Sequence, residues 1–121
     1  MAIGCTVSQI AKSLVFRSAS GDSVLVIASG ANRVNEERIT HFVGEPVERA
    51  AAEFVRETSG YAIGGVPPFG HRQQPKVVLV DADLMQHSEI WAAAGTPHAV
   101  VRLTPDQLVR LSSGRVVHVK E

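Results

Sequence analysis

Ser23-Val24-Leu25-Val26-Ile27-Ala28 is the stretch that most constrains the fold, because its interior carries no polar residue for either face of a strand. A run of this length and β-rich composition reads as a strand covered on both sides, which demands a layer above it and a layer below. Ser20-Gly21-Asp22 precedes it with compact turn chemistry, and Ser13–Arg17 lies before that turn. The two runs therefore predict a β-hairpin.

The rest of the chain supplies the covering layers. Thr6–Lys12 opens on a capping residue and sets Val7, Ile10 and Ala11 on one helical face, predicting a short opening helix. A helix is expected over Asn35–Phe42, with Glu36 and Glu37 in its first turn and Gly44 as its stop. A second is expected from about Val47 to Thr58, where Ala50, Ala51, Phe54 and Val55 form an apolar stripe. Lys76–Asp81 reads as a strand ending in an acidic turn, followed by Leu84–Trp91 with Ile90 and Trp91 packed inward. Ala92–His98 breaks the pattern, Ala99–Leu103 reads as a strand, and Thr104-Pro105 marks a strong helix start. Val116–Val119 predicts a last short strand. Helices and strands interleave without repeat or linker, so the expectation is one mixed α/β domain over residues 1–121.

Composition excludes several function classes. Lys and Arg number 12 against 12 Asp and Glu, so no overall field draws in nucleic acid, and such a partner must be met by a local patch. Cys5 is the only cysteine, which rules out an internal disulfide and points to a reducing cytoplasm; its expected role is a small apolar filler. No apolar run approaches the ~20 residues of a membrane span, and no membrane association is expected. The histidines lack metal-helix spacing, so neither a metal nor a cofactor is expected. Walker-type and dinucleotide glycine loops and the serine-hydrolase elbow are missing as well.

Chemistry can gather at a few element ends. Lys12 stands where the opening helix meets the first strand, either reaching a phosphate or ester oxygen across a pocket mouth or standing as a solvated surface lysine. Gly64-Gly65-Val66-Pro67-Pro68-Phe69-Gly70-His71 combines backbone freedom with rigidity, so it is either a loop presenting amides to a ligand or a tight structural turn. Ser29–Arg33 leaves the buried strand, and Gly95-Thr96-Pro97-His98 forms a further polar turn. His71 and His98 read first as exposed loop histidines, and second as groups that handle a proton or a phosphate.

Taken in order, Ala11–Arg17, Ala28–Arg33, Ala62–His71 and Ile90–Gly95 resemble the YbaK family, also called the prolyl-tRNA synthetase-associated or aminoacyl-tRNA editing domain family. Four segments in register carry the resemblance across essentially the whole chain. It implies a mixed α/β fold on a curved, barrel-like sheet, and deacylation of tRNA mischarged with a small amino acid, related to tRNA-Pro. By that resemblance Lys12, Gly64 and Gly65 are the catalytic positions. The expected substrate-binding set is Ser13, Ser29, Asn32, Val66, Pro67, Phe69, Gly70, His71, Gly95, Thr96 and His98, with no family role carried over to His98; from their charge, Lys12, Arg33 and Arg72 are the expected contacts to phosphate. The implied partners are the 3′ end of aminoacyl-tRNA and prolyl-tRNA synthetase. Members usually carry a segment ahead of the lysine motif, so the chain is expected to lack that segment and to cover the resulting sheet edge with a partner, as in a homodimer. The rival expectation is a non-catalytic module that binds aminoacyl-tRNA, a synthetase or a nucleotide.

Overall fold

A computed structural model describes residues 6–121, and Cys5 lies outside the described residues. The expected hairpin forms its centre. Strand β1 (Ile10–Ser18) pairs antiparallel with β2 (Ser23–Ser29) in a register running from Ala11 opposite Ser29 to Arg17 opposite Ser23. Every residue of β2 from Val24 to Ser29 is buried, so the two-sided covering read from its composition is present.

The remaining strands are β3 (Val47–Arg49), β4 (Val77–Asp81), β5 (Ile90–Ala93), β6 (Val100–Leu103) and β7 (Arg115–Val117). They make one seven-stranded mixed sheet in the order β6-β5-β1-β2-β4-β7, with β3 added to β1. Among the described residues three helices cover it: α1 (Glu36–Val43), α2 (Ala52–Ser59) and α3 (Pro105–Ser112). The two faces build separate cores. Ala11, Val15, Leu25, Ile27, Val78 and Val80 pack with Val55 of α2 and Leu108 of α3. Phe16, Val24, Val26, Ala28 and Leu79 pack with Ile39 of α1. Alternation along β1 and β2 sends successive side chains into opposite cores, which is why β2 needs apolar residues throughout.

Helix ends follow their local chemistry. The Asn35 side chain accepts the N–H groups of Glu37 and Arg38 at the start of α1, and Gly44 closes that helix in the left-handed region at φ 90°. Thr104 caps α3 through the Gln107 N–H, with Pro105 in the first turn as expected.

Three expectations are corrected. The opening helix is only a 3-10 turn, Val7–Gln9, and Ile10, Ala11 and Lys12 belong to β1, because that strand gains partners on both edges where it starts. The helix expected from Val47 begins at Ala52, since Val47–Arg49 instead satisfies the β1 edge at Phe16–Ser18. The break expected from Ala92 starts at Ala94, because Ala92 and Ala93 continue β5 opposite Val101 and Val100. Among the described residues no helix is long and apolar enough to cross a membrane.

Candidate functional site

Two strands pair with the outer edge of β1, one at each end. β5 pairs with Ile10 and Ala11, and β3 pairs with Phe16–Ser18, so neither reaches the stretch from Lys12 to Val15. Val15 O accepts the Ala50 N–H at 3.0 Å and therefore points outward. Alternation along an antiparallel strand turns the Ser13 peptide N–H and C=O to that same outer side. A cavity of about 250 Å³ opens against this gap. Ile10–Val15 form one wall, and Arg49-Ala50, Val55, Ile63-Gly64, Val66 and Ala93 complete it.

A second, more polar depression of about 560 Å³ lies beside it, lined by Asn32, Arg33, Glu36 and Glu121 among others. Lys12, Leu14 and Arg49 line both spaces, so these three form their common wall. Lys12 Nζ donates to the Asn32 carbonyl oxygen at 2.7 Å. An ammonium has three N–H donors, so two remain for a ligand at the junction. Asn32 is itself held: its Nδ2 donates to Asp81 Oδ2 and to Asp83 Oδ2, each at 2.8 Å. Asp81 is 1% exposed and also accepts the Ser29 N–H and the Asp83 N–H, both at 3.0 Å. A buried carboxylate satisfied by three N–H donors is a rigid anchor, and it fixes the loop that carries the Lys12 acceptor.

The Gly64–His71 run divides into parts with different surroundings. Gly64, at φ 95°, lines the cavity, and its N–H makes no hydrogen bond among the described residues. The Gly65 N–H donates to Ala62 O at 3.0 Å, and Gly65 O accepts the Gly95 N–H at 3.0 Å. A Cβ at Gly65 would sit 2.9 Å from Gly95 O and from Thr96 Cα, so the residue is the packing joint between two loops. Val66 is a core residue that also lines the cavity, and Pro67 and Pro68 are buried behind it. His71 Nε2 lies 2.7 Å from Pro67 O, which staples the loop.

Of the residues singled out from sequence, the structure brings Lys12, Ser13, Gly64 and Val66 together in the cavity, with Asn32 across the shared wall. Arg33 lines the second depression. Ser29 is buried and donates its hydroxyl to Ser8 O at 2.9 Å. Gly65, Pro67, Phe69, Gly70, His71, Gly95, Thr96 and His98 lie outside the lining of both spaces. Thr96 Oγ1 accepts the N–H groups of His98 and Ala99, which shapes its own turn. Arg72 is exposed, and its N–H donates to Ser59 O. Sequence reasoning missed Asp81, Asp83 and Arg49. The acidic turn after β4 is a visible signal for the first two, whereas Arg49 falls inside the helix expected from Val47 and lies in β3 instead.

Residues 1–111 match the aminoacyl-tRNA editing domain family. The chain belongs to that family. The editing domain is 32% identical over 114 residues to the uncharacterised protein YwhH of Bacillus subtilis (strain 168), covering 94% of this chain and 72% of YwhH. Among solved structures it is similar to a candidate trans-editing enzyme for prolyl-tRNA synthetase, at 45% identity and a TM-score of 0.95, over 99% of this chain and 75% of that one. It is also similar to the hypothetical protein APE2540, at 30% identity and a TM-score of 0.88, over 98% and 79% of the two chains. An editing role follows from family membership, and the mixed α/β fold is the family's.

Proposed function

We propose that this editing domain hydrolyses the ester of tRNA carrying a wrong small amino acid, with Lys12 at the reacting ester. The observation that carries the reading is the place of Lys12, on the wall between a small, largely apolar cavity and a polar depression. An aminoacyl-tRNA end has the same division: a small side chain, an ester, then a ribose and phosphates. In this reading the side chain enters the cavity, the ester carbonyl meets Lys12, and the terminal nucleotide lies toward Asn32, Arg33 and Arg49.

Water attacks the carbonyl carbon, and the displaced electron pair settles on the carbonyl oxygen. In this reading the charge is met by the free donors of Lys12 and by the N–H of Gly64, which lines the same cavity, and donors already in place stabilise it without reorganisation. Collapse breaks the bond to the ribose oxygen, which takes the proton released by the water. The amino acid and the intact tRNA leave. The similarity to a candidate trans-editing enzyme for prolyl-tRNA synthetase supports tRNA-Pro as the carrier.

The test is hydrolysis of tRNA-Pro charged with alanine, serine, cysteine, threonine and proline. Release of one or more small non-cognate amino acids, with prolyl-tRNA spared, is the expected result. Tight binding of these tRNAs without release of any amino acid would replace the deacylase by a binding module.

A further inference from the structure

The polar depression beside the cavity carries charges of both signs that do not neutralise one another. Lys12, Arg33 and Arg49 line it together with Glu36 and Glu121. Among the described residues the ion pairs are Lys76–Asp22 and Arg102–Glu89, so none of these five side chains belongs to one. A depression that took an anion alone would gain nothing from two carboxylates, which repel it. Acceptors standing beside cations suit a ligand that presents N–H donors as well as negative charge. We propose that Glu36 and Glu121 read the base of the terminal nucleotide, each accepting one hydrogen of the exocyclic amino group of adenine. The proposal rests on the deacylase reading for the direction in which the tRNA end enters.

The surroundings fit a nucleotide. Leu14 and Val34 are half-buried and line the same space, which gives a flat base an apolar surface to lie on. The main chain holds the charged groups in place. Glu36 opens α1 directly after the Asn35 cap. The Glu121 N–H donates to Arg33 O at 3.0 Å, and two residues earlier Val119 O accepts the Asn35 N–H at 2.7 Å. Both carboxylates are thus carried by segments joined to the Arg33 loop. Arg49 stands opposite Phe16 in the pairing of β1 with β3, its guanidinium 5.7 Å from the centre of that ring. A phosphate at Arg33 or Arg49 and an amine at the carboxylates can therefore be met by one ligand. A base with a carbonyl in place of the amine would set acceptor against acceptor.

A site built to accept from a donor disfavours the analogue that lacks it. The experiment is calorimetric binding of 3′-alanylamino-3′-deoxyadenosine 5′-phosphate, whose amide link resists hydrolysis, and of its purine counterpart, in which hydrogen replaces the exocyclic amine. The wild-type chain is expected to bind the adenine compound about tenfold more tightly, or about 1.4 kcal/mol. Glu36→Ala and Glu121→Ala should each reduce that ratio, and the double variant should bring it close to one through weaker adenine binding alone. Both side chains are exposed, so the melting temperatures of these variants should stay close to wild type. Arg33→Ala should weaken both compounds alike. Equal wild-type affinities, a preference that survives the double variant, or no binding of either compound overturns the assignment. A preference for adenine without hydrolysis of any mischarged tRNA-Pro would keep the two carboxylates as readers of the base and remove the deacylase reading.

Discussion

Lys12 and Asn32 are joined by a 2.7 Å hydrogen bond from the ammonium to the main-chain carbonyl, and the Asn32 side chain is bound in turn to Asp81 and Asp83. The ammonium is thus placed by a loop that two carboxylates hold from behind. Positioning of this kind governs rate more than affinity, since small displacements of a charge-stabilising group weaken it in the transition state. Asn32→Ala is expected to lower kcat for ester hydrolysis by about tenfold or more with KM little changed. A KM effect with kcat intact would show instead that Asn32 serves binding.

Asp81 carries a structural cost that Asn32 does not. Removing its carboxylate leaves the buried Ser29 N–H, the half-buried Asp83 N–H and one of the two Asn32 amide hydrogens without an acceptor, while the other Asn32 hydrogen keeps Asp83 Oδ2. Each abandoned buried group costs about 1–3 kcal/mol. Asp81→Ala should therefore shift the urea midpoint markedly downward, whereas the more conservative Asp81→Asn should fall between it and the wild type. An unchanged midpoint for Asp81→Ala would contradict the anchoring role.

Gly65 joins two loops at a separation with no space for a side chain. Gly65→Ala must push the Gly95-Thr96 backbone away, at a cost of about 1–3 kcal/mol for overpacking. Amide chemical shifts should move at both Ala62–Val66 and Gly95–Ala99. Gly64→Ala has only Pro97 Cγ nearby, at 3.7 Å, so its cost comes from φ 95° and its shifts should stay in its own loop.

The Glu45 carboxyl is held at about 2 instead of 4.5, first by the Ser20 hydroxyl and next by the Ser20 N–H. A folded value below the unfolded one gives a contribution present above pH 4.5 and lost as pH falls toward 2. Glu45 stands at the surface and only partly covered, so solvent screening keeps that contribution small. Ser20→Ala should raise the Glu45 midpoint toward 4.5 in an NMR titration of its carboxyl carbon. A midpoint that stays near 2 would assign the shift to another group.

The hairpin, α1 and α3 were legible because their signals are local: a turn between β-rich runs, Asn35 before Glu36, and Thr104 before Pro105. β3 was hidden because three residues carry no periodicity, and its pairing depends on an edge of β1 some thirty positions earlier. The opening helix failed for a related reason, since Ile10 and Ala11 fit a helical face equally well until β5 is known to lie beside them. At the site, Lys12, Ser13 and Gly64 stood out because a charge or a glycine pair at an element end is visible in one dimension. Asp81 gains its role only when parallel pairing of β2 with β4 brings it to Ser29 and Asn32, and no local pattern reports that.

The most direct measurement of the central claim is single-turnover hydrolysis of one mischarged tRNA-Pro by the wild-type chain and by Lys12→Ala. Loss of a preorganised donor at a developing oxyanion costs about 10²–10³ in rate, so the variant should be slower by at least a hundredfold while its melting temperature stays close to wild type. Equal rates in the two proteins would remove Lys12 from the reaction and contradict the account.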